Sequence, residues 1–153
     1  VYSYTIEPLT DEYASHIYDN LVPLDKIECD IGYDTKDDFI TDLATADWNK
    51  VVLIDGEPVM MYGVTAYEDM FNTGIAWMLR TAGLDLARRE FLRQSRNAVN
   101  EMQKDYLTLM NMVHTENKMA IKWLKFCGFT FTKHVQLIKG EPFVVFYRNK
   151  RNV

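Results

Sequence analysis

The chain has 153 residues, 48% of them hydrophobic and 25% charged, with a formal net charge of −5. That length suits a single domain over residues 1–153, since domains run about 100–200 residues. The ordinary composition excludes a disordered chain, a collagen-like repeat and a disulfide scaffold, and the acidic balance argues against a dedicated nucleic-acid binder.

Two departures from the average stand out. Glycine is scarce, at 7 residues, which leaves little material for phosphate-cradling loops. The charge is also unevenly divided. Residues 1–48 hold twelve acidic and two basic residues, and residues 85–153 hold six acidic and thirteen basic ones. An acidic front and a basic back can mark a surface for a protein partner or for a second copy of the chain.

In chain order, Tyr2 to Glu7 alternates and is β-prone, a first strand ended by Pro8. Thr10 and Asp11 are helix-start residues, and Ala14, Ile17 and Leu21 come next at helical spacing until Pro23. Thr35 or Asp34 caps a second helix with Phe39, Ile40 and Leu43 as its buried stripe. Val51–Ile54 is a buried-type strand, Asp55-Gly56 a hairpin signal, and Val59–Tyr67 the return strand. Gly74–Arg80 reads as another strand. A long helix is expected from about Asp85 to Lys104, with Ala87, Phe91, Ala98 and Met102 facing the core and Leu92 and Val99 beside them. Leu107–Val113 is short and apolar, as a central strand is. Asn117–Phe126 is an amphipathic helix closed by Gly128. Val135–Ile138 and Phe143–Tyr147 form a last strand pair.

The order β-α-α-β-β-β-α-β-α-β-β implies an α/β fold, a mixed and mostly antiparallel sheet flanked by helices on both faces. The helix between Arg80 and Leu107 makes those two strands parallel neighbours. Cys29 and Cys127 have no metal-like spacing, which fits a reduced protein. No apolar run reaches the ~18–20 residues of a membrane span, and the first residues lack the charged start and apolar middle of a signal peptide. The expectation is a cytoplasmic protein without a metal. P-loop, serine-elbow and Rossmann patterns are missing.

One local pattern is specific. Asn117-x-x-Ala120-x-x-Trp123-Leu124-x-x-x-Gly128-Phe129, preceded by the strand Leu109–Val113, resembles the C-terminal signature of the GCN5-related N-acetyltransferases, the GNAT superfamily. The element order from Val51 to Tyr147 is similar to theirs, and the combination with Ile75–Arg80 and the long helix also resembles small phage-encoded GNAT-like proteins. The resemblance implies transfer of an acetyl group from acetyl-CoA to an amine. It implies that Trp77, Met78 and Leu79 lie on a splayed strand that pairs its backbone with pantetheine. It implies that the connection starting at Thr81 meets the pyrophosphate, with Arg88 and Arg89 able to grip phosphate. Asn117 either caps backbone or meets an amide ligand. His114, at the end of a strand, is a candidate base suited by its ordinary pKa near ~6.5, or else a histidine bonded to backbone. His16 and His134 have no partner at metal spacing.

Two positions depart from the family pattern. The connection Thr81-Ala82-Gly83-Leu84-Asp85 carries one glycine instead of two or three, and an acid. Leu124 stands where many members have a tyrosine that protonates the leaving thiolate, and leucine has no proton to give. Arg93 and Arg96 extend Arg89 into a basic stripe, either a solvated face or a contact. Two other readings stay open. One is a catalytically inactive GNAT-like phage protein acting in the virion, in assembly or on a host protein, which would sit in the host cytoplasm or virion. The other is a nucleic-acid module using the basic back half.

Overall fold

The computed structural model describes residues 1–150. The last three residues, with Arg151 of the basic back half, lie outside the described residues. Seven strands form one sheet in the order β1-β2-β3-β4-β5-β7-β6. They are β1 (Tyr4–Glu7), β2 (Trp48–Ile54), β3 (Glu57–Ala66), β4 (Thr73–Arg80), β5 (Thr108–His114), β6 (Thr130–Ile138) and β7 (Glu141–Asn149). Every pairing is antiparallel except β4 with β5, which is parallel, as the crossover helix between them requires. Two hairpins close through left-handed residue pairs, Asp55-Gly56 at φ 50° and 81° and Lys139-Gly140 at φ 51° and 81°, the backbone that two-residue turns between twisted strands demand.

Five α-helices flank the sheet: α1 (Asp11–Asp19), α2 (Pro23–Gly32), α3 (Lys36–Ala44), α4 (Arg88–Gln103) and α5 (Lys118–Phe126). Successive side chains of a strand point to opposite faces, and β2 shows it. Val51 and Leu53 pack with Ala14, Ile17, Cys29 and Phe39 of α1–α3. Val52 and Ile54 pack with Val99, Met102 and Leu124 of α4 and α5. The sheet thus separates two apolar cores. Cys29 and Cys127 are both free and buried, one in each core.

Three expectations need correcting. The N-terminal region holds three helices, not two. Pro23 does not simply stop the first: it occupies the first turn of α2, where its missing N–H costs nothing and its fixed φ suits the helix. The long helix begins at Arg88 rather than Asp85, because Ala82–Ala87 is a 3₁₀ turn capped by Thr81. The buried face of α4 contains Ser95, Val99, Met102 and Gln103, while Leu92 is exposed. The last hairpin is longer than expected, since β6 starts at Thr130. Among the described residues no helix is long and apolar enough to cross a membrane, and no group of three or more metal-ligating side chains is found.

Candidate functional site

The parallel ladder between β4 and β5 is short. Thr73, Gly74 and Ile75 pair with Thr108, Leu109 and Met110, and there it stops. β4 nevertheless runs on to Arg80 and β5 to His114. The two strands fork, and a cavity of about 760 Å³ opens between them, reaching both faces of the sheet.

At the root of the fork sits Asn111. Its Nδ2 donates to the Ala76 carbonyl at 2.8 Å, and its Oδ1 accepts the Met112 N–H at 2.8 Å. One amide therefore satisfies a backbone group on each strand just past the last ladder rung. At the open end, α2 does the same with two carboxylates one turn apart. Asp25 Oδ2 accepts the Arg80 N–H at 2.9 Å, and Oδ1 accepts Asn117 Nδ2 at 3.3 Å. Glu28 Oε1 accepts the His114 N–H at 3.3 Å. The Arg80 carbonyl accepts the N–H of Val22, just ahead of α2, at 3.1 Å.

These contacts fix the phase of β4. The Ala76 carbonyl and both backbone groups of Arg80 point away from β3 into the fork. Backbone direction alternates along a strand, so Met78, midway between them, turns its N–H and C=O the same way. None of the described hydrogen bonds fills these two groups. A strand-centre residue thus offers one donor and one acceptor to whatever enters the cavity.

The structure brings most of the sequence candidates to this cavity. Trp77, Met78, Leu79, Arg88 and Asn117 line it. Trp77 lies against β3, where a Cβ on Gly63 would stand 2.6 Å from its ring, so glycine is required there. Asn117 both caps α5, with Oδ1 accepting the Ala120 N–H at 3.3 Å, and holds Asp25. Leu124 is also in the wall. Arg89 is exposed at the start of α4, outside the wall.

Thr81 and His114 are placed differently. Thr81 is buried, donates its N–H to the Val59 carbonyl, and accepts the Gly83 N–H on Oγ1 at 3.1 Å. The lone glycine N–H of that connection is therefore spent locally. His114 is 4% exposed and is not part of the cavity wall. Its Nδ1 accepts the Glu116 N–H at 3.1 Å, which puts the ring proton on Nε2, 2.8 Å from Glu141 Oε2. Both ring nitrogens are engaged, and no lone pair is left for an incoming amine.

At the rim, Asp85 is less hostile to an anion than its charge suggests, because Arg80 (3.2 Å) and Arg88 (3.4 Å) both reach its Oδ1. Further along α4, Arg93 pairs with Glu90 at 2.9 Å, and Arg96 donates to the Phe126 carbonyl at 3.2 Å and covers that ring. The basic stripe is largely committed to local contacts.

Sequence reasoning missed Asp25, Glu28 and Asn111. For the first two, a signal was present. Pro23 at a helix start, with Leu24, Ile27 and Ile31 after it at helical spacing, marks α2, and Asp25 and Glu28 then share a face. Burial pushes the Glu28 carboxyl up to about 8, helped by the nearby Asp25 charge, while the His114 N–H opposes the rise. Burial likewise raises Asp25, against the opposing pull of the Arg80 N–H and charge and of Asn117.

Comparison with known proteins bears on the fold. No family model and no curated protein matches the sequence. Solved structures do. The ribosomal-protein-S18-alanine N-acetyltransferase from Escherichia coli superposes with a TM-score of 0.70 at 14% identity, over 96% of this chain and 94% of that one. An acetyltransferase of the GNAT family from Streptococcus pneumoniae gives 0.61 at 10% identity, over 97% and 100%. A spermidine N-acetyltransferase from Vibrio cholerae gives 0.64 at 11%, over 95% and 93%. At these identities the likeness shows the fold: the chain has the GNAT architecture.

Proposed function

We propose that the protein is an N-acyltransferase that moves an acetyl group from acetyl-CoA to an amine. The observation that carries this reading is the fork with the unfilled backbone pair of Met78 in its wall. A pantetheine arm is a chain with two amides, and a strand edge recognises such a chain as it would another strand. The cavity walls suit the arm, with Trp77, Leu79 and Leu124 supplying apolar surface. The phosphates are served differently. The connection Thr81–Ala87 is wound into a 3₁₀ turn and offers no open cradle of N–H groups, so Arg88 at the rim and the exposed Arg89 are the groups left to hold them.

Bound acetyl-CoA supplies a thioester carbonyl reactive enough for direct attack by an amine. The chain's own part is to align the arm along β4, to hold the fork open through Asn111, Asp25 and Asn117, and to exclude water with the apolar wall. Leu124 donates no proton, so the departing sulfur takes its proton from solvent. That loss is compatible with a modest rate, since a positioned acid contributes about 10²–10⁴-fold.

Calorimetric titration with acetyl-CoA tests the reading, alongside thiol release with spermidine or an alanine-led peptide as acceptor. Binding should raise the melting temperature, because ligand at 100 times Kd stabilises by about 2.7 kcal/mol. No heat and no shift at millimolar acetyl-CoA would overturn it. The wound connection favours a second reading, in which the fold serves to bind a protein, as a phage or host-directed component. That reading gains from the same null result together with a partner held by the α4 face.

A further inference from the structure

We infer that Glu28 is the catalytic base, the group that takes the proton from the incoming ammonium; this rests on the transferase reading. Two carboxylates enter the fork from α2, and their situations differ. Asp25 has both oxygens committed, to the Arg80 N–H and to Asn117, and is 5% exposed. It is a positioning residue. Glu28 commits Oε1 to the His114 N–H, while none of the described hydrogen bonds or ion pairs uses Oε2. It lines the cavity on the β5 side, with Met78 supplying the β4 wall. The histidine that the sequence offers for this task has both ring nitrogens engaged.

The surroundings suit the role. On α2, Asp25 adds negative charge, and the Cys29 thiol is pushed up to about 12 by burial and stays protonated. On β4, the Arg80 guanidinium is turned to Asp85. On β5, the His114 ring is turned to Glu141 of β7. At the β6–β7 turn, Lys139 Nζ reaches the Ile31 carbonyl at 3.5 Å. No cation among the described residues pairs with Glu28, so the carboxylate keeps its raised affinity for a proton. With that pKa at about 8, it is far better matched than an ordinary carboxylate to an ammonium near ~10.4.

The protons balance. The carboxylate of Glu28 takes one proton from the ammonium and frees the nitrogen lone pair. The nitrogen forms the C–N bond as the C–S bond breaks. The nitrogen then gives a second proton to solvent, and the leaving sulfur takes one from solvent. Glu28 returns its proton to solvent before the next turnover, for a net release of one.

The test is Glu28→Gln in the full chain, assayed with acetyl-CoA and the better of spermidine and an alanine-led peptide. The glutamine oxygen can still accept the His114 N–H, so acetyl-CoA binding by calorimetry should be unchanged. kcat should fall about 10²–10⁴-fold. The pH profile is taken with spermidine, since a peptide α-amine itself titrates at ~8 and an alkyl ammonium at ~10.4. In the wild type, log kcat/KM should rise with pH and bend near 8, whereas the variant should lose that bend and rise on towards the pKa of the amine. Glu28→Asp should retain the bend at reduced kcat. A wild-type profile with no bend near 8, or a Glu28→Gln variant within threefold of wild type, overturns the inference and leaves the transferase reading standing. A wild type that neither binds nor consumes acetyl-CoA overturns both.

Discussion

On one face of the sheet, the ten-residue helix α2 sends two carboxylates into the fork; on the other, the arginines of α4 stay at the rim or beyond it. The acidic face turns the carboxyl groups of Asp25 and Glu28 inward, each anchored to the backbone of a different strand. The basic face spends Arg93 and Arg96 on local partners and leaves Arg89 to solvent. Two halves of opposite sign therefore act at different ranges. Carboxyl groups held inside, where water is scarce, set geometry and hold their protons more tightly. Charge held outside is screened within about 8–10 Å by salt and steers more than it holds.

The largest effect should come from the inward side. Asp25→Ala removes the acceptor of the Arg80 N–H and of Asn117 at once, leaving two buried donors unpaired. A loss of about 2–6 kcal/mol is expected by denaturant titration, at 1–3 kcal/mol for each such donor. Acetyl-CoA affinity should fall with it, since the same contacts hold β4 and α5 apart. An unchanged stability would mean that Asp25 is a bystander and that the two faces do not differ in this way.

Next in size is a pH effect with a definite sign. Glu28 is raised from 4.5 to about 8 in the folded chain. Between those values the folded state keeps a proton that the unfolded state has released. The stabilisation is complete below about 4.5, declines as pH rises through the window, and is gone above about 8. Asp25, also raised, pulls in the same direction at its own lower end. The melting temperature should drop by several degrees from pH 5 to 8, and Glu28→Gln should flatten much of that slope. A melting temperature that climbs over this range would contradict the assignment.

The smallest effect belongs to the outer side. Arg88→Ala with Arg89→Ala should weaken acetyl-CoA binding about 3–10-fold at low salt and by less at 0.5 M, as exposed ion pairs contribute at most about 1 kcal/mol each. Stability should hardly move. A loss far beyond tenfold would show that the rim arginines have replaced the missing glycine loop outright.

Much of this contrast was readable in the residues, and the failures have physical causes. Asn117, Gly128 and the strand before them were legible because a cap, a left-handed residue and an apolar run each leave a local mark. The parallel pairing of β4 and β5 was implied by the helix between them. α2 was not legible because proline both ends one helix and begins another, and the choice depends on the residues after it. Asp25 and Glu28 were lost with it, since an acidic residue in an acidic segment reads as solvated surface until a helix aims it inward. His114 carried a suitable chemistry, but its availability depended on Glu116 and Glu141, which meet it only after folding. Asn111 gave no signal, for its task arises where two strands part.

The fork also leaves an isotopic mark. Hydrogen exchange is slow for an amide locked in a ladder and fast for one open to solvent. The N–H groups of Trp77 and Leu79 face β3 and belong to the slow class. The Met78 amide, between them in the middle of a seven-stranded sheet, has only the cavity before it. In deuterated water it should relax like a loop residue between two protected neighbours. Any molecule that lies along β4 should silence that one fast proton.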